Sequence, residues 1–473
     1  MRADRFVVCL LAVAALAGCA SRPINEPITQ VDPQAGYRPY RLIPQRQNND
    51  PHTLFILAFS GGGTRAAAFS YGVLEELRRT EIVIDGQRRR LIDEVDLATG
   101  VSGGSFTALS YALYGEGLFA EYEGRFLKRN VQGALTRRAL NPFNWPKLMG
   151  SAGRSELAAD YYDKILFEDA TFGDLLDKQT PVAVATGTDL STGSRLAFFQ
   201  SDFDLLCSDL SRVRLSRAAA ASSAVPGVLS PVTLNNYGGT CGYQYPSWVG
   251  DVAKLRGSAW SAGRTAQRYR EMEAFQNSKD RPFIHLVDGG VADNLGLRPV
   301  LEMFEELAVS EQFREDVGLG VIRKIVVIVV NARSAKTHDW DRRESPSWFA
   351  TLQQATSVPI GRYSFESVES MKDRQAFLSV RRELQIARAR LAGATEAEAE
   401  ASVSVPKLSL TTLDVSFDAI LDPEERAYFM RLPTSFVLPA EDVDRLREVA
   451  GRLMRDSPAF QSVVREFGGL PAK

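Results

Sequence analysis

Gly100-Val101-Ser102-Gly103-Gly104 fits the pattern G-x-S-x-G, in which a strand turns sharply into a helix and holds a serine in strained backbone geometry. Glycines at Gly100 and Gly104 remove the Cβ atoms that would clash across such a turn. The flanks suit it, with "EVDLAT" strand-like before and "FTALSYALY" helix-like after. A serine presented this way is an acyl-transfer nucleophile, and it needs a base and a site for the oxyanion. The second requirement has a candidate in "FSGGGTRAAAFSYG", Phe59 to Gly72, where three glycines end an apolar run and open a helix. A phosphate-binding Walker loop would need Lys-Ser or Lys-Thr where this chain has Thr64-Arg65-Ala66. A dinucleotide fingerprint is nearly met by Gly61, Gly63 and Ala66, but no acidic residue ends a second strand about twenty residues on. An oxyanion hole remains, with the N–H groups of Gly61, Gly62 and Gly63 at a helix N-terminus aimed at developing negative charge.

The base is an aspartate or a histidine. "HLVDGGVADNLG" puts Asp288 at the end of a buried strand, followed by Gly289 and Gly290, which keep backbone bulk out of a cleft. Crevices in open α/β sheets form at strand carboxyl ends. An aspartate there can take the serine proton directly if desolvation raises its pKa. Of three histidines, His285 lies three residues before Asp288 on one strand, so the two point to opposite faces. His52 precedes the first strand. His338 completes a formal Ser…Asp…His order, but it sits in the polar run "AKTHDWDRRESP" and reads as an exposed loop residue. Three histidines without a CxxC pair give no basis for zinc.

These groups need a scaffold. "TLFILAF" (Thr53–Phe59) is continuously apolar, as a strand buried on both faces must be. "PVAVATGT", "FIHLVDGG" and "IRKIVVIVVNA" are further runs of strand length, alternating with helical patterns. The expectation is a three-layer α/β/α domain over 52–473 with a mostly parallel central sheet. Two stretches break the rhythm. Asn235–Arg281 is an aromatic-rich insertion with a short helix near Ala262–Phe275, and beyond Thr337 the pattern becomes a helical C-terminal extension.

The 473 residues are 45% apolar with a formal net charge of −2, which gives no electrostatic reason to expect nucleic acid. Arg2 and Arg5 precede "FVVCLLAVAALAG", too short to span a bilayer and right for a secretory signal. The stretch ends in Leu16-Ala17-Gly18-Cys19, which resembles the lipobox of bacterial lipoproteins. That resemblance implies removal of residues 1–18, acylation of Cys19 and a lipid anchor in the bacterial cell envelope. Ala20 and Ser21 follow without an aspartate, which implies the outer membrane, facing the periplasm. Prolines at 23, 27, 33, 39, 44 and 51 read as an extended tether over 19–51. Cys207 and Cys241 remain, either as a disulfide or as two buried free thiols.

Taken together, Gly61-Gly62-Gly63-Thr64-Arg65-Ala66, Gly100–Gly104, Asp288-Gly289-Gly290 and "AAASSAVPGVLSPV" resemble the patatin-like phospholipase family, in order and context over Phe55–Leu297. Ala66 departs from the family's usual glycine. The resemblance implies a Ser–Asp dyad without histidine or cofactor: Ser102 as nucleophile, Asp288 as base, Gly61, Gly62 and Gly63 as oxyanion donors and Arg65 as support for that loop. Thr186, Asp189 and Asn294 are cleft-lining candidates that fit turn and capping roles better. The substrate implied is a phospholipid or lysophospholipid at a membrane surface, with protein partners unspecified. A thioesterase, neutral-lipid lipase or acyltransferase on the same scaffold, or a non-catalytic envelope lipoprotein, are the alternatives. The insertion, with Tyr237, Tyr243, Tyr245, Trp248 and Trp260, is expected to cap the active site with its base near the dyad.

Overall fold

The computed structural model describes residues 22–47, 49–84, 86–150, 153–246, 263–309, 313, 315, 318–334, 348–403 and 408–469. Cys19, Trp248, Trp260 and His338 lie outside the described residues. The TLFILAF run forms β1 (Thr53–Phe59), buried at every residue because it has a parallel neighbour on each side and helices over both faces. Its neighbours are β4 (Leu97–Gly100) and β9 (Lys324–Asn331). A short hairpin of β2 (Glu81–Ile84) and β3 (Gln87–Arg90) lies apart. The main sheet adds β5 (Val182–Asp189), β6 (Arg195–Ala197), β7 (Val232–Asn235), β8 (Phe283–Asp288) and β10 (Ser409–Ser416), in the order β10-β9-β1-β4-β5-β8-β7 with β6 also on β5.

Alternate residues of β1 feed two cores. Phe55, Leu57 and Phe59 pack among helices α1 (Gly63–Arg79), α2 (Gly103–Tyr114), α3 (Val131–Leu140), α4 (Gly153–Tyr162) and α5 (Leu215–Ser222). The insertion contributes α6 (Gly263–Phe275) to that side. Leu54, Ile56 and Ala58 face α7 (Arg298–Val309) and α8 (Trp348–Leu391). The three layers expected from the alternating pattern are therefore present.

Several local expectations are corrected. Strands β10, β9, β1, β4 and β5 are parallel, but β8 runs antiparallel to β5, with Gly187 opposite Asp288. Asp288 still reaches the carboxyl edge of the parallel strands, because β8 descends towards it from the far side. The C-terminal extension is not merely helical. β10 completes one sheet edge beside β9, and α9 (Ala440–Asp456) packs so closely on α1 that a Cβ on Gly72 would lie 2.5 Å from the Arg447 carbonyl.

The described part of the expected tether is a strap bonded to the domain. Tyr37 is 1% exposed and its hydroxyl accepts the Ala183 N–H at 2.7 Å. Arg38 pairs with Asp204 at 2.7 Å, and Asn25 bonds Ser208 and the Asn235 backbone. Proline-rich backbone is extended whether free or docked, so composition does not distinguish the two.

Cys207 and Cys241 form a disulfide across 34 residues. It ties the start of the insertion to the segment after β6. From there α6 packs inward, with Phe275 fully buried and Arg268 paired to Asp202. Because Asn235 pairs with Phe283 at the end of β8 remote from Asp288, the insertion leaves the sheet away from the dyad. Its described residues pack on the domain flank instead of capping the site.

Candidate active site

Ser102, the candidate nucleophile, stands at a sharp strand-to-helix turn of the kind its glycine pattern describes. It sits at φ 48°, ψ −118° between β4 and α2, in a region that costs a non-glycine residue energy unless its surroundings enforce it. What enforces it is close backbone packing. A Cβ on Gly103 would fall 2.0 Å from the Gly63 carbonyl, and one on Gly104 would fall 2.6 Å from the Phe59 carbonyl. Gly100 likewise meets Gly104 at 2.6 Å. The elbow is thereby pressed against the glycine loop.

The Ser102 side chain lies close enough to the Asp288 carboxylate to favour its charged form, and that carboxylate accepts the Gly290 N–H at 2.8 Å. Both side chains are more than nine-tenths buried. Burial pushes the Asp288 pKa up to about 6, and these two neighbours of its charged form pull back only part of that rise. Gly289 passes against Thr186, where a Cβ would lie 2.3 Å from the carbonyl. Ser222, at the end of α5, joins the two halves of the site: its hydroxyl accepts the Ser102 N–H at 2.9 Å and its carbonyl accepts the Gly289 N–H at 3.1 Å. Ala224 takes the Asp288 N–H at 3.0 Å. The run "AAASSAVPG" thus aligns nucleophile and carboxylate. Neither Ser222 nor Thr188, whose hydroxyl donates to the Asp288 carbonyl at 2.9 Å, was singled out from sequence; buried serines and threonines carry no spacing signal.

The glycine loop needs one correction. The Gly61 N–H donates to the Asn294 carbonyl at 2.9 Å and is committed to structure. Gly62 and Gly63, at the N-cap and first turn of α1, have N–H groups without a partner among the described residues, as helix N-termini do. They remain candidate oxyanion donors, and the Gly103 N–H at the start of α2, the amide after the candidate nucleophile, joins them. Gly63 has φ 61°, and a Cβ there would lie 2.3 Å from the Ser435 carbonyl, which accepts the Thr64 N–H at 2.8 Å. Arg65 is 2% exposed and spans the back of the loop. Its guanidinium donates to the Ala332 carbonyl at 3.0 Å, to the Leu432 carbonyl and to the Thr434 hydroxyl at 3.1 Å. Burial without a carboxylate partner lowers its pKa to about 10, and it still carries charge at neutral pH.

The other candidates separate cleanly. Asn294 clamps the site, its backbone on Gly61 and its side-chain oxygen packed beside Gly61 and Gly290. Asp189 closes the turn after β5, accepting from Thr192 at 2.6 Å and pairing with Arg281, away from the dyad. His285 bonds Thr233 at 3.0 Å and His52 bonds the Val321 carbonyl at 3.1 Å, so neither serves Ser102. Among the described residues no three His, Cys, Asp or Glu side chains gather in a metal-binding cluster.

A family model described as patatin-like phospholipase matches residues 57–301, just over half of the chain. No curated protein matches the chain. Among solved structures, human GIVD cytosolic phospholipase A2 in complex with methyl gamma-linolenyl fluorophosphonate aligns at 12% identity and a TM-score of 0.41. A second structure of human GIVD cytosolic phospholipase A2 aligns at 12% identity with a TM-score of 0.43. In both cases 91% of this chain is covered, and it spans 62% of the matched chain's length.

Proposed function

The chain belongs to the patatin-like phospholipase family and is a lipid-hydrolysing enzyme, and from that premise we propose that it cleaves phospholipid or lysophospholipid acyl esters with a Ser102–Asp288 dyad. The observation that carries this reading is the strained Ser102 turn set beside a desolvated Asp288 carboxylate. Asp288 takes the hydroxyl proton as Ser102 Oγ attacks the ester carbonyl. The tetrahedral oxyanion develops towards the N–H groups of Gly62 and Gly63, fixed in place before the reaction begins. Asp288, now a carboxylic acid, returns the proton to the departing lyso-lipid alkoxide and leaves the acyl group on Ser102. Water then gives a proton to Asp288 and attacks the acyl-enzyme; as the bond from the acyl carbon to Ser102 Oγ breaks, Asp288 returns that proton to Oγ and the fatty acid departs. A pKa near 6 suits both directions of transfer at neutral pH. The reading includes acylation of Cys19 and a place in the bacterial outer membrane, where substrate is concentrated.

The test is Ser102→Ala in the full chain, assayed on phospholipid, lysolipid, triglyceride and acyl-thioester substrates and with a fluorophosphonate probe. Loss of acyl release and of labelling, with the fold unchanged by circular dichroism, is expected. Activity surviving in that variant sinks the dyad, and a preference for thioester or triglyceride sinks the phospholipid assignment.

A further inference from the structure

From Gly124 to Ser155 the chain carries seven Lys and Arg and no Asp or Glu, although the whole chain is nearly neutral. In the fold Arg125, Lys128 and Lys147 pair with carboxylates, and the remaining cations lie near an exposed apolar surface. Phe143 is 92% exposed, Leu140 71%, Met149 69% and Trp145 50%, from the last residue of α3 through the connection to α4. Beside them a cavity of about 630 Å³ is lined by Arg129, Arg137, Arg138 and Lys164, with no acidic residue among its walls. None of these four cations has an ion-pair partner among the described residues; Arg138 lies 4.7 Å over the Tyr161 ring instead.

This segment is anchored at its base, so its exposure is not that of a loose end. Asn130 caps α3 through the Gly133 N–H at 2.7 Å, and the Gln132 N–H bonds the Phe436 carbonyl at 3.1 Å. Phe436 follows Ser435, the residue that cradles Gly63. On the other flank, the Ser155 N–H bonds the Ser230 hydroxyl at 3.0 Å, at the end of the loop that begins with Ala224 and carries Val228, 64% exposed. Both flanks of the patch are therefore bonded to segments that lead to the glycine loop and to the backbone support of Asp288.

We propose that this face docks the protein on an anionic lipid bilayer. Leu140, Phe143, Trp145 and Met149 enter between the headgroups, while Arg129, Arg137, Arg138 and Lys164 meet lipid phosphates. Tryptophan, with an apolar body and a polar N–H, suits that boundary. The strap adds an independent reason, resting on the reading of Cys19 given above. Arg22 is bonded to the Thr233 carbonyl at 3.0 Å on the edge strand β7, and Arg217 bonds the same carbonyl and Glu156 of α4. Three residues reach at most about 11 Å, so acyl chains on Cys19 bring the bilayer to the side of the domain where α4 begins. The anchor holds this face down instead of lifting the domain away.

The experiment uses the full chain carrying Cys19→Ser, to remove the anchor, and Ser102→Ala, to prevent turnover. Co-sedimentation is measured with vesicles of phosphatidylcholine alone or mixed with phosphatidylglycerol. Binding to the mixed vesicles is expected, with loss of about tenfold or more on adding Phe143→Ala with Trp145→Ala, or Arg137→Glu with Arg138→Glu. With Ser102 restored, the same substitutions should leave hydrolysis of a soluble short-chain ester unchanged. That arm separates failure of this surface from failure of the enzymatic reading. Equal binding by all variants, or binding indifferent to phosphatidylglycerol, overturns the proposal. So does a change from dimer to monomer in the Phe143 and Trp145 variant with vesicle binding intact, which would make this face an interface between copies.

Discussion

Asp288→Asn keeps the shape of the side chain and removes its ability to hold the Ser102 proton. The amide oxygen can still accept the Gly290 N–H, so the melting temperature should stay close to that of the parent. With a pKa of about 6 in the parent, the carboxylate is the major form at pH 7.5 and about one part in ten at pH 5. The carboxylate is the active form, so kcat/KM should rise with pH through 6 and flatten above 7. The fold runs the other way. Asp288 binds its proton more readily folded than unfolded, so its contribution to stability is present at acid pH and lost as pH rises through 6. Activity lost at pH 5 should therefore come without loss of circular dichroism signal from this group. A positioned general base contributes about 10²- to 10⁴-fold, and Asp288→Asn should cost that much on a soluble ester. The pH profile alone does not name the base, because free imidazole titrates near 6.5. The variants do. The acid limb should disappear from the residual activity of Asp288→Asn and persist, at nearly parental rate, in His338→Ala. A limb that survives in the first and vanishes in the second would refute the dyad.

Gly63→Ala must place a Cβ against the Ser435 carbonyl at a positive φ, so kcat should fall by about 10²-fold with KM little changed, measured on the same soluble ester. Cys207→Ser opens a 34-residue loop and should lower stability by about 3–4 kcal/mol on chain entropy, read from denaturant unfolding; an unchanged midpoint would show that the bond is dispensable. Cys19→Ser should move the protein from the membrane to the soluble fraction or stall its processing, and unchanged attachment with normal processing would remove Cys19 as the anchor.

What was legible in the sequence was whatever depends on neighbours along the chain. The Thr53–Phe59 run reads as a buried strand because every residue is apolar, and the elbow reads as an elbow because its glycines, strand and helix are contiguous. What depends on distant partners was not legible. Gly61, Gly62 and Gly63 are alike in sequence, and only the Asn294 carbonyl takes the first out of the oxyanion hole. The direction of β8 leaves no trace in its hydrophobicity, so the antiparallel approach of Asp288 stayed hidden. Strand β10, "SLTTLDVS", is a partly exposed edge with polar alternation and is lost among the helical patterns around it. The strap was misread because six prolines describe an extended backbone and say nothing about Tyr37 or Arg38 finding sites beneath it.

The glycine loop is finished by residues that come off the ribosome long after it. Thr64 and Arg65 are fixed by the Leu432, Thr434 and Ser435 stretch, some 370 positions later, and α1 is covered by α9. A chain halted between residues 289 and 431 has Ser102 and Asp288 but no wall behind Gly62 and Gly63. The site of a lipid-degrading enzyme built this way is completed only after the Leu432–Ser435 stretch has been made and has folded back on the glycine loop.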